Sequence, residues 1–453
     1  MANLLDLPVE LIRQICSHLQ CFSHYSKRTS SRELVRLSKT CRRMRDIIQP
    51  LIFTSFRYRD ASRTRLARFL RALHARPDLG QRIRHLDAPP LTEAFKLSTP
   101  DRLFVDQMID RIQHPYPIDV NWHDYPKRFG DLLLTELILL HTPGLTHLRI
   151  AVGPNSQVPL VEDRTGTGFL DSLRYLQARC SDSRPRGVIG VPIKVVMSFC
   201  AAAPGLEELW VRTPLRNGWE GKVDHLANLT RLEFDGICSI EKDLLKELVQ
   251  AAPRLEVIRL VWLALDCKTN RERAVTVGDA WEILRLRKET LRDVSLDVWD
   301  EGLHAERLEL GKLGWWSLRD WPRLRVLKVG ELPLKVFQAA WEGAGVRSGF
   351  LDQLLPVGIR VLTFWEPDPV IIPLVRELAG AAEWREHPEL SKVSVTPLEP
   401  SETQILRWYG QSDWERAEVS LRAMFEKGGV EFELPTMIRP RTLGFFDNRI
   451  LGW

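Results

Sequence analysis

Nine short segments of one form recur along the chain, and they constrain its fold more than any other feature. Each reads L-x-x-L-x-L, with Leu, Ile, Val, Phe or once Ala at the apolar positions: Leu145/Leu148/Ile150, Leu173/Leu176/Ala178, Leu206/Leu209/Val211, Leu229/Leu232/Phe234, Leu255/Ile258/Leu260, Leu291/Val294/Leu296, Leu324/Leu327/Val329, Ile359/Leu362/Phe364 and Leu390/Val393/Val395. A weaker copy stands at Ile83/Leu86. One copy alone means little. Nine copies, 23 to 36 residues apart, indicate a supersecondary unit repeated in tandem, each unit burying its apolar face against the next. A chain of 453 residues is too long for one compact core unless it is such an array.

The other half of each unit is also legible. Leu132–Leu140, Ile193–Ala203, Asp243–Ala252 and Asp279–Lys288 carry helical patterning ahead of a strand. Pro143, Pro204, Pro253, Pro322 and Pro388 each lie two residues before the first apolar position, where a fixed φ and a missing donor end a helix and release an extended strand. Helix, Pro turn and short parallel strand resemble the leucine-rich-repeat layout. That resemblance implies an α/β fold in which residues 131–435 form a curved, irregular solenoid, parallel strands on the concave side and helices outside. A helix over Trp414–Glu426 and a strand through Val430, Phe432 and Leu434 are expected to cap the last unit.

The first 55 residues follow another pattern. Leu11, Ile12, Ile15, Cys16 and Leu19 share one helical face, with Pro8 in the first turn, where its missing N–H is harmless. Ser30 and Glu33 form a capping pattern, and Leu34, Leu37, Cys41, Met44 and Ile48 then recur at helical spacing until Pro50. Two or three short amphipathic helices of this length bury little surface, and such a module needs a partner. Residues 1–60 also hold eleven Lys/Arg against five Asp/Glu, so the positive field sits here and the rest of the chain is near neutral.

Leu7-Pro8-x-Glu10, then Leu37-Ser38-x-Thr40-Cys41-Arg42-Arg43-Met44-Arg45, then Pro50-Leu51-Ile52-Phe53, in that order, resemble the F-box. The resemblance implies docking onto a Skp adaptor and, through it, a cullin scaffold. By the same resemblance Leu7, Pro8, Val9, Leu11, Ile12, Ile15, Leu34, Leu37, Cys41 and Met44 are the candidate adaptor contacts. The adaptor surface in that family is acidic, so the basic excess here would speed encounter. Residues 56–130 are expected to be a helical linker and N-terminal cap, and residues 436–453 a tail.

Strand side chains alternate, so residues between and just after the apolar motif positions are expected to line the concave sheet and hold an unknown protein substrate. They are Arg149, Arg179, Trp210, Arg212, Arg259, Asp297, Trp299, Lys328 and Trp365. Guanidinium groups there could read an acidic or phosphorylated segment, beside aromatic anchors of the kind enriched at binding hot spots. Exposed arginines on a sheet are equally compatible with a solvated face. Trp262 and most of the fifteen tryptophans read as packing.

Other classes find little support. Cys16, His18, Cys21 and His24 are zinc-ligand types, but convergence would unwind the first helix, so no metal is expected. No phosphate-binding loop, nucleophile elbow, zinc-protease helix or strand-linked dinucleotide fingerprint is present, and Asn217–Lys222 has the wrong glycine spacing; no cofactor and no catalysis by this chain are expected. A net charge of +5 argues against a nucleic-acid surface spread over the molecule. The apolar run Leu132–Leu140 is about half of what a membrane span requires. Seven cysteines without a C-x-x-C pair, and no charged-then-apolar leader, suggest a reducing compartment, cytoplasmic and/or nuclear. The Asn228-Leu229-Thr230 sequon is then coincidental. The leading expectation is a non-catalytic substrate-recognition subunit of a ubiquitin ligase. A structural scaffold without ubiquitin transfer is the alternative, and a solenoid enzyme the weakest reading.

Overall fold

The computed structural model describes residues 6–21, 30–57, 63–88, 97–111, 130–153, 158–162, 169–180, 191–212, 215–216, 223, 225–238, 240–263, 275–299, 317–330, 333–334, 354–365, 372–383, 387–396 and 412–434. The chain divides into two compact units, Met1–Thr290 with Trp299–Glu301, and Leu291–Val298 with Gly302–Trp453.

The first unit opens with three helices, α1 (Val9–Cys21), α2 (Ser30–Ser38) and α3 (Arg42–Ile52). The helical pattern running from Ser30 to Pro50 is broken at residues 39–41, where Lys39 and Thr40 donate back to Arg36 and Leu37 in tight turns. Cys41 then caps α3, its sulfur accepting the Met44 N–H at 3.4 Å. A side-chain acceptor at this position satisfies one of the orphan donors of a helix N-terminus. Pro50 lies inside α3 rather than beyond it. So close to the C-terminal end, its missing N–H removes one helical hydrogen bond without stopping the helix.

Only Phe53 and Thr54 separate α3 from the first strand, β1 (Ser55–Arg57). The Thr54 carbonyl accepts both Arg84 and His85 N–H groups, which locks this junction to the next strand. The stretch expected as a helical linker and cap therefore carries strands as well: β1 pairs with β2 (His85–Ala88), and helices run over Arg63–Ala75 and Thr99–Arg111. Then follow β3 (His147–Val152), β4 (Tyr175–Cys180), β5 (Glu208–Arg212), β6 (Arg231–Cys238) and β7 (Val257–Leu263). Successive strands from β1 to β7 are parallel neighbours. In the second unit β8 (Asp293–Trp299, all but its last residue in this unit), β9 (Val326–Gly330), β10 (Val361–Trp365), β11 (Lys392–Thr396) and β12 (Glu431–Glu433) pair in the same sequential, parallel manner.

The motif sets the register. Leu86, Leu148, Leu176, Leu209, Leu232 and Ile258 stand opposite one another across six strands, and Ala88, Ile150, Ala178, Val211, Phe234 and Leu260 form a second row. In the second unit the rows are Val294, Leu327, Leu362, Val393 and Phe432, and Leu296, Val329, Phe364 and Val395. All are buried. The first motif position is buried too, as Leu145, Leu173, Leu206, Leu229, Leu255, Leu291, Leu324, Ile359 and Leu390 show. Each such side chain contributes roughly 1.5–3 kcal/mol on burial, and a slip of one residue would turn an entire row out to solvent.

The proline device is a turn. The N–H of each first motif residue bonds three residues back, Leu145 to Thr142, Leu206 to Ala203, Leu255 to Ala252, Leu324 to Trp321 and Leu390 to His387, with the proline second in each four-residue turn. This is where its fixed φ is favourable. Glycine follows twice for a reason of space. A Cβ on Gly144 would sit 1.7 Å from Arg84 Nη1, and one on Gly205 1.7 Å from Arg174 Nη1. These arginines donate to the glycine carbonyls of the next unit.

Helices occupy Gly130–Leu140, Ile193–Ala202, Lys242–Ala251 and Val277–Arg285, matching those expected within a few residues. Thr276 and Asp279 form a capping box on the last of these, and Lys242 pairs with Asp279 across neighbouring units. The closing helix Ser412–Lys427 packs Phe425 against Phe432 of β12, with ring centroids 5.2 Å apart. Asn228 stands in the turn before β6, not in the strand, and donates to the Pro204 carbonyl. Trp281 and Trp321 are buried, and the Trp262 side chain lies outside the described residues.

Candidate functional site

Two surfaces of the first unit combine several of the residues singled out from the sequence. The first is built on α1, α2 and α3. Ile12, Cys16, Leu34, Met44, Ile47 and Ile48 fill the centre of this module, with Leu7, Val9, Leu37, Cys41, Leu51 and Ile52 packed around them and partly buried. Arg43 fastens the entry segment by donating to the Leu7 carbonyl at 3.3 Å. Three of the ten candidate contact residues, Ile12, Leu34 and Met44, are thus consumed by the module's own core, at no more than 2% exposure. The correction follows from helix geometry: with three helices on one small core, only part of each apolar stripe can face outward.

The remainder is open. Leu11 is 45% exposed and Ile15 42%. Four residues apart, they form adjacent ridges on one side of α1. Pro8 is exposed beside them, and Leu7, Val9, Leu37 and Cys41 border the core. Arg13, Arg36, Lys39, Arg42, Arg43 and Arg45 are exposed around this module beside the exposed Asp6, Glu10, Glu33 and Asp46, and Arg36 pairs with Glu33, so its rim carries only a small positive excess.

Cys16 is buried among apolar groups, and burial raises its thiol above the usual range, the opposite of what a thiolate ligand needs. The side chains of His18 and Cys21, and all of His24, lie outside the described residues, as does Asn217–Lys222. Among the described residues no group of three or more His, Cys, Asp or Glu could hold a metal. Cys200 is fully buried and its thiol is pushed up to about 12, which leaves it inert. No helix among the described residues is long and apolar enough to cross a membrane.

The second surface is the sheet face opposite the apolar rows. Arg149, Arg179, Trp210, Arg212 and Arg259 of the first unit lie on it, Arg149 and Arg212 exposed and the others half-buried. Alternation also brings His85, His147, Tyr175, Glu208 and Arg231 to this face, all directly before the second apolar position. Sequence reasoning took only the residues between and after the motif positions and so missed this row, although the same two-residue period selects it. His85 and His147 have ring centroids 4.3 Å apart, His147 and Tyr175 5.5 Å, and Tyr175 and Trp210 5.8 Å. A continuous aromatic ladder crosses four strands.

Guanidinium groups lie on that ladder. Arg149 sits 5.7 Å from the Tyr175 ring centroid, and Arg212 and Arg231 lie 5.8 and 5.5 Å from the Trp210 ring. Part of the charge is internally matched: Arg179 pairs with Asp87 at 3.5 Å and Arg231 with the buried Glu233 at 2.5 Å. Burial lowers the His147 pKa, with Arg149 acting in the same direction and Glu208 opposing. Burial raises the Tyr175 hydroxyl.

Of the candidates in the second unit, Lys328 and Trp365 are half-buried on their strands and Lys328 reaches Asp293 at 3.7 Å. Asp297 is buried, and its carboxylate occupies the space where a side chain at residue 330 would lie, so it is a packing group and not a presented one. The Trp299 side chain lies outside the described residues.

The three-helix module decides the comparison with known families. Residues 4–56 match the F-box domain. An F-box implies a subunit that binds the Skp adaptor and thereby a cullin-based ubiquitin ligase, and F-box proteins are generally non-catalytic substrate adaptors. The match takes in α1, α2 and α3 and ends within β1. No curated protein matches the chain.

Proposed function

We propose that this chain is the substrate-recognition subunit of a Skp/cullin/F-box ubiquitin ligase, with Leu11 and Ile15 at the centre of the adaptor contact. Pro8 completes the exposed patch, and Leu7, Val9, Leu37 and Cys41 border it. The observation that carries this reading is the pair of large aliphatic side chains left open, one turn apart, above a module whose core is otherwise filled. Such a patch is unfinished until another polypeptide covers it.

The remaining chain would hold the protein substrate on the sheet face carrying Arg149, Trp210 and Arg212. The aligned Leu rows and sequential parallel strands support an irregular leucine-rich-repeat solenoid as its scaffold. The two-residue passage from α3 into β1 supports a mechanism of positioning: the substrate is held at a fixed offset from the adaptor, and transfer is accelerated by proximity, the chemistry belonging to other subunits. A soluble cytoplasmic and/or nuclear setting fits this role.

Affinity capture of the tagged full chain, wild type against Leu7→Ala/Pro8→Ala, tests the reading. Adaptor and cullin should both be captured by wild type and both be depleted in the variant. Capture of adaptor without cullin would favour a scaffold that does not transfer ubiquitin, and equal capture by both chains would overturn the F-box contact.

A further inference from the structure

The positive charge of the N-terminal region extends past the three-helix module. Residues 1–84 hold eighteen Lys/Arg against six Asp/Glu, and the rest of the chain forty-six against fifty-three. We infer that the exposed face of the helix Arg63–Ala75 is a second docking surface, separate from the adaptor patch, and that it takes an acidic helix of a partner protein with carboxylates three or four residues apart along one side.

From Arg63 to Arg84 the chain has seven arginines, one aspartate and no lysine. Three of these arginines are used within the fold. Arg71 pairs with the buried Asp101 at 3.0 Å and lies 5.0 Å from the Phe104 ring centroid. Arg76 makes two hydrogen bonds to Asp78, at 2.9 and 2.8 Å, and Arg84 donates to the Gly144 carbonyl. Arg65 and Arg68 differ. Both are exposed, and among the described residues neither has a hydrogen-bond or ion-pair partner.

Their helix is firmly mounted. Leu66, Ala67, Phe69, Leu70 and Leu73 are buried on its other side, and the Phe69 ring stacks on Phe56 of β1 with centroids 3.5 Å apart. At 3.6 residues per turn, Arg65, Arg68 and the exposed Ala72 and Ala75 fall within a sector of about 80°. The two alanines let a second helix approach toward the lower end of the usual range of about 8–10 Å between axes. Arg65 and Arg68 are offset by about 4.5 Å of rise, which matches acids at i and i+3 or i+4 on that partner. A planar guanidinium grips a carboxylate through two parallel hydrogen bonds.

The same face disfavours other anions. Single-stranded nucleic acid is held by exposed rings, whereas Phe69 is buried and Phe104 is half-buried with Arg71 over its ring. A lipid surface is entered by large apolar groups, and Leu66, Phe69, Leu70 and Leu73 are all committed to the core.

The test uses two labelled helical peptides of equal composition, one with its Glu residues along a single side and one with them spread around the helix. Fluorescence anisotropy follows their binding to the purified full chain: wild type, Arg65→Gln/Arg68→Gln, Arg65→Glu/Arg68→Glu and the charge-matched control Arg42→Gln/Arg45→Gln. All substituted side chains are exposed, and equal thermal unfolding confirms an intact fold. The one-sided peptide should bind wild type and the control alike, and the Arg65→Gln/Arg68→Gln chain about tenfold more weakly, the loss of two surface charge pairs. The Arg65→Glu/Arg68→Glu chain should instead prefer the Lys counterpart of that peptide. Equal binding of the two Glu peptides, or an equal loss in the control, would overturn the inference. So would tighter binding of a single-stranded oligonucleotide or of phosphatidylserine vesicles, or self-association of the chain that the same substitutions abolish. Adaptor capture by the Arg65→Gln/Arg68→Gln chain should equal that of wild type, and reduced capture would overturn the separation of the two surfaces.

Discussion

Replacing Leu11 and Ile15 together by alanine separates a partner surface from a folding core. The two side chains are 45% and 42% exposed, so folding has already used about half of what each can bury. Full burial of a Leu or Ile is worth roughly 1.5–3 kcal/mol, which leaves on the order of 1 kcal/mol each for a partner to collect. Truncation should therefore weaken adaptor binding by about 2 kcal/mol, close to 30-fold in Kd. Stability of the free chain should fall by a comparable amount, about 2 kcal/mol and no more, because the half of each side chain already buried is lost as well while the central buried cluster stays intact. Titration calorimetry against purified adaptor, with thermal unfolding of the free chains, reads both quantities. A normal Kd accompanied by a large fall in melting temperature would refute the reasoning, since the two side chains would then be structural.

The complementary change is Ile12→Ala, one residue away but buried: it should cost about 2–5 kcal/mol and melt the three-helix module early, as followed by hydrogen exchange over residues 9–21. Gly80→Ala should destabilise by about 1–3 kcal/mol, because its Cβ would lie 1.9 Å from the His141 carbonyl oxygen, whereas Gly144→Ala meets mainly the mobile end of Arg84 and should cost about 1 kcal/mol; equal melting temperatures would contradict this. His141 and His147 are both held below the usual imidazole pKa, chiefly by burial, His141 also by the nearby His74. The unfolded chain then takes up these protons more readily, so their contribution is complete above about pH 6.5 and is lost as pH falls below it. Melting temperatures between pH 7.5 and 5.5 should fall less steeply for a His141→Gln/His147→Gln chain than for wild type, and parallel slopes would exclude the two imidazoles as the cause.

The parts of the fold repeated in sequence were the most legible. A leucine three residues after another, followed by a third two residues on, yields a buried first position and two buried strand rows, because strand alternation leaves no other arrangement with one apolar face. The prolines marked the unit junctions, yet the reason glycine follows two of them was hidden, since it lies in arginines from the preceding unit about 30 to 60 residues away in sequence. β1 was missed for a related reason: Ser55–Arg57 has little pattern of its own and becomes a strand by pairing with β2. In the F-box module, periodicity identified the apolar stripes but could not say which residues of a stripe would be used internally. Ile12 and Leu11 are neighbours in sequence and opposite in fate, decided by where α2 and α3 pack. On the sheet face, choosing arginines by type found the charges and overlooked the His85, His147 and Tyr175 rungs, whose significance is their alignment across strands.

Hydrogen–deuterium exchange of the full chain, alone and saturated with purified Skp adaptor, addresses the adaptor contact most directly. Slowed exchange should concentrate in the peptides covering Pro8–Ile15 and Leu37–Met44, with the β3–β7 strands unchanged. Binding that leaves those two segments as fast as before, or protects only the strands, would contradict it.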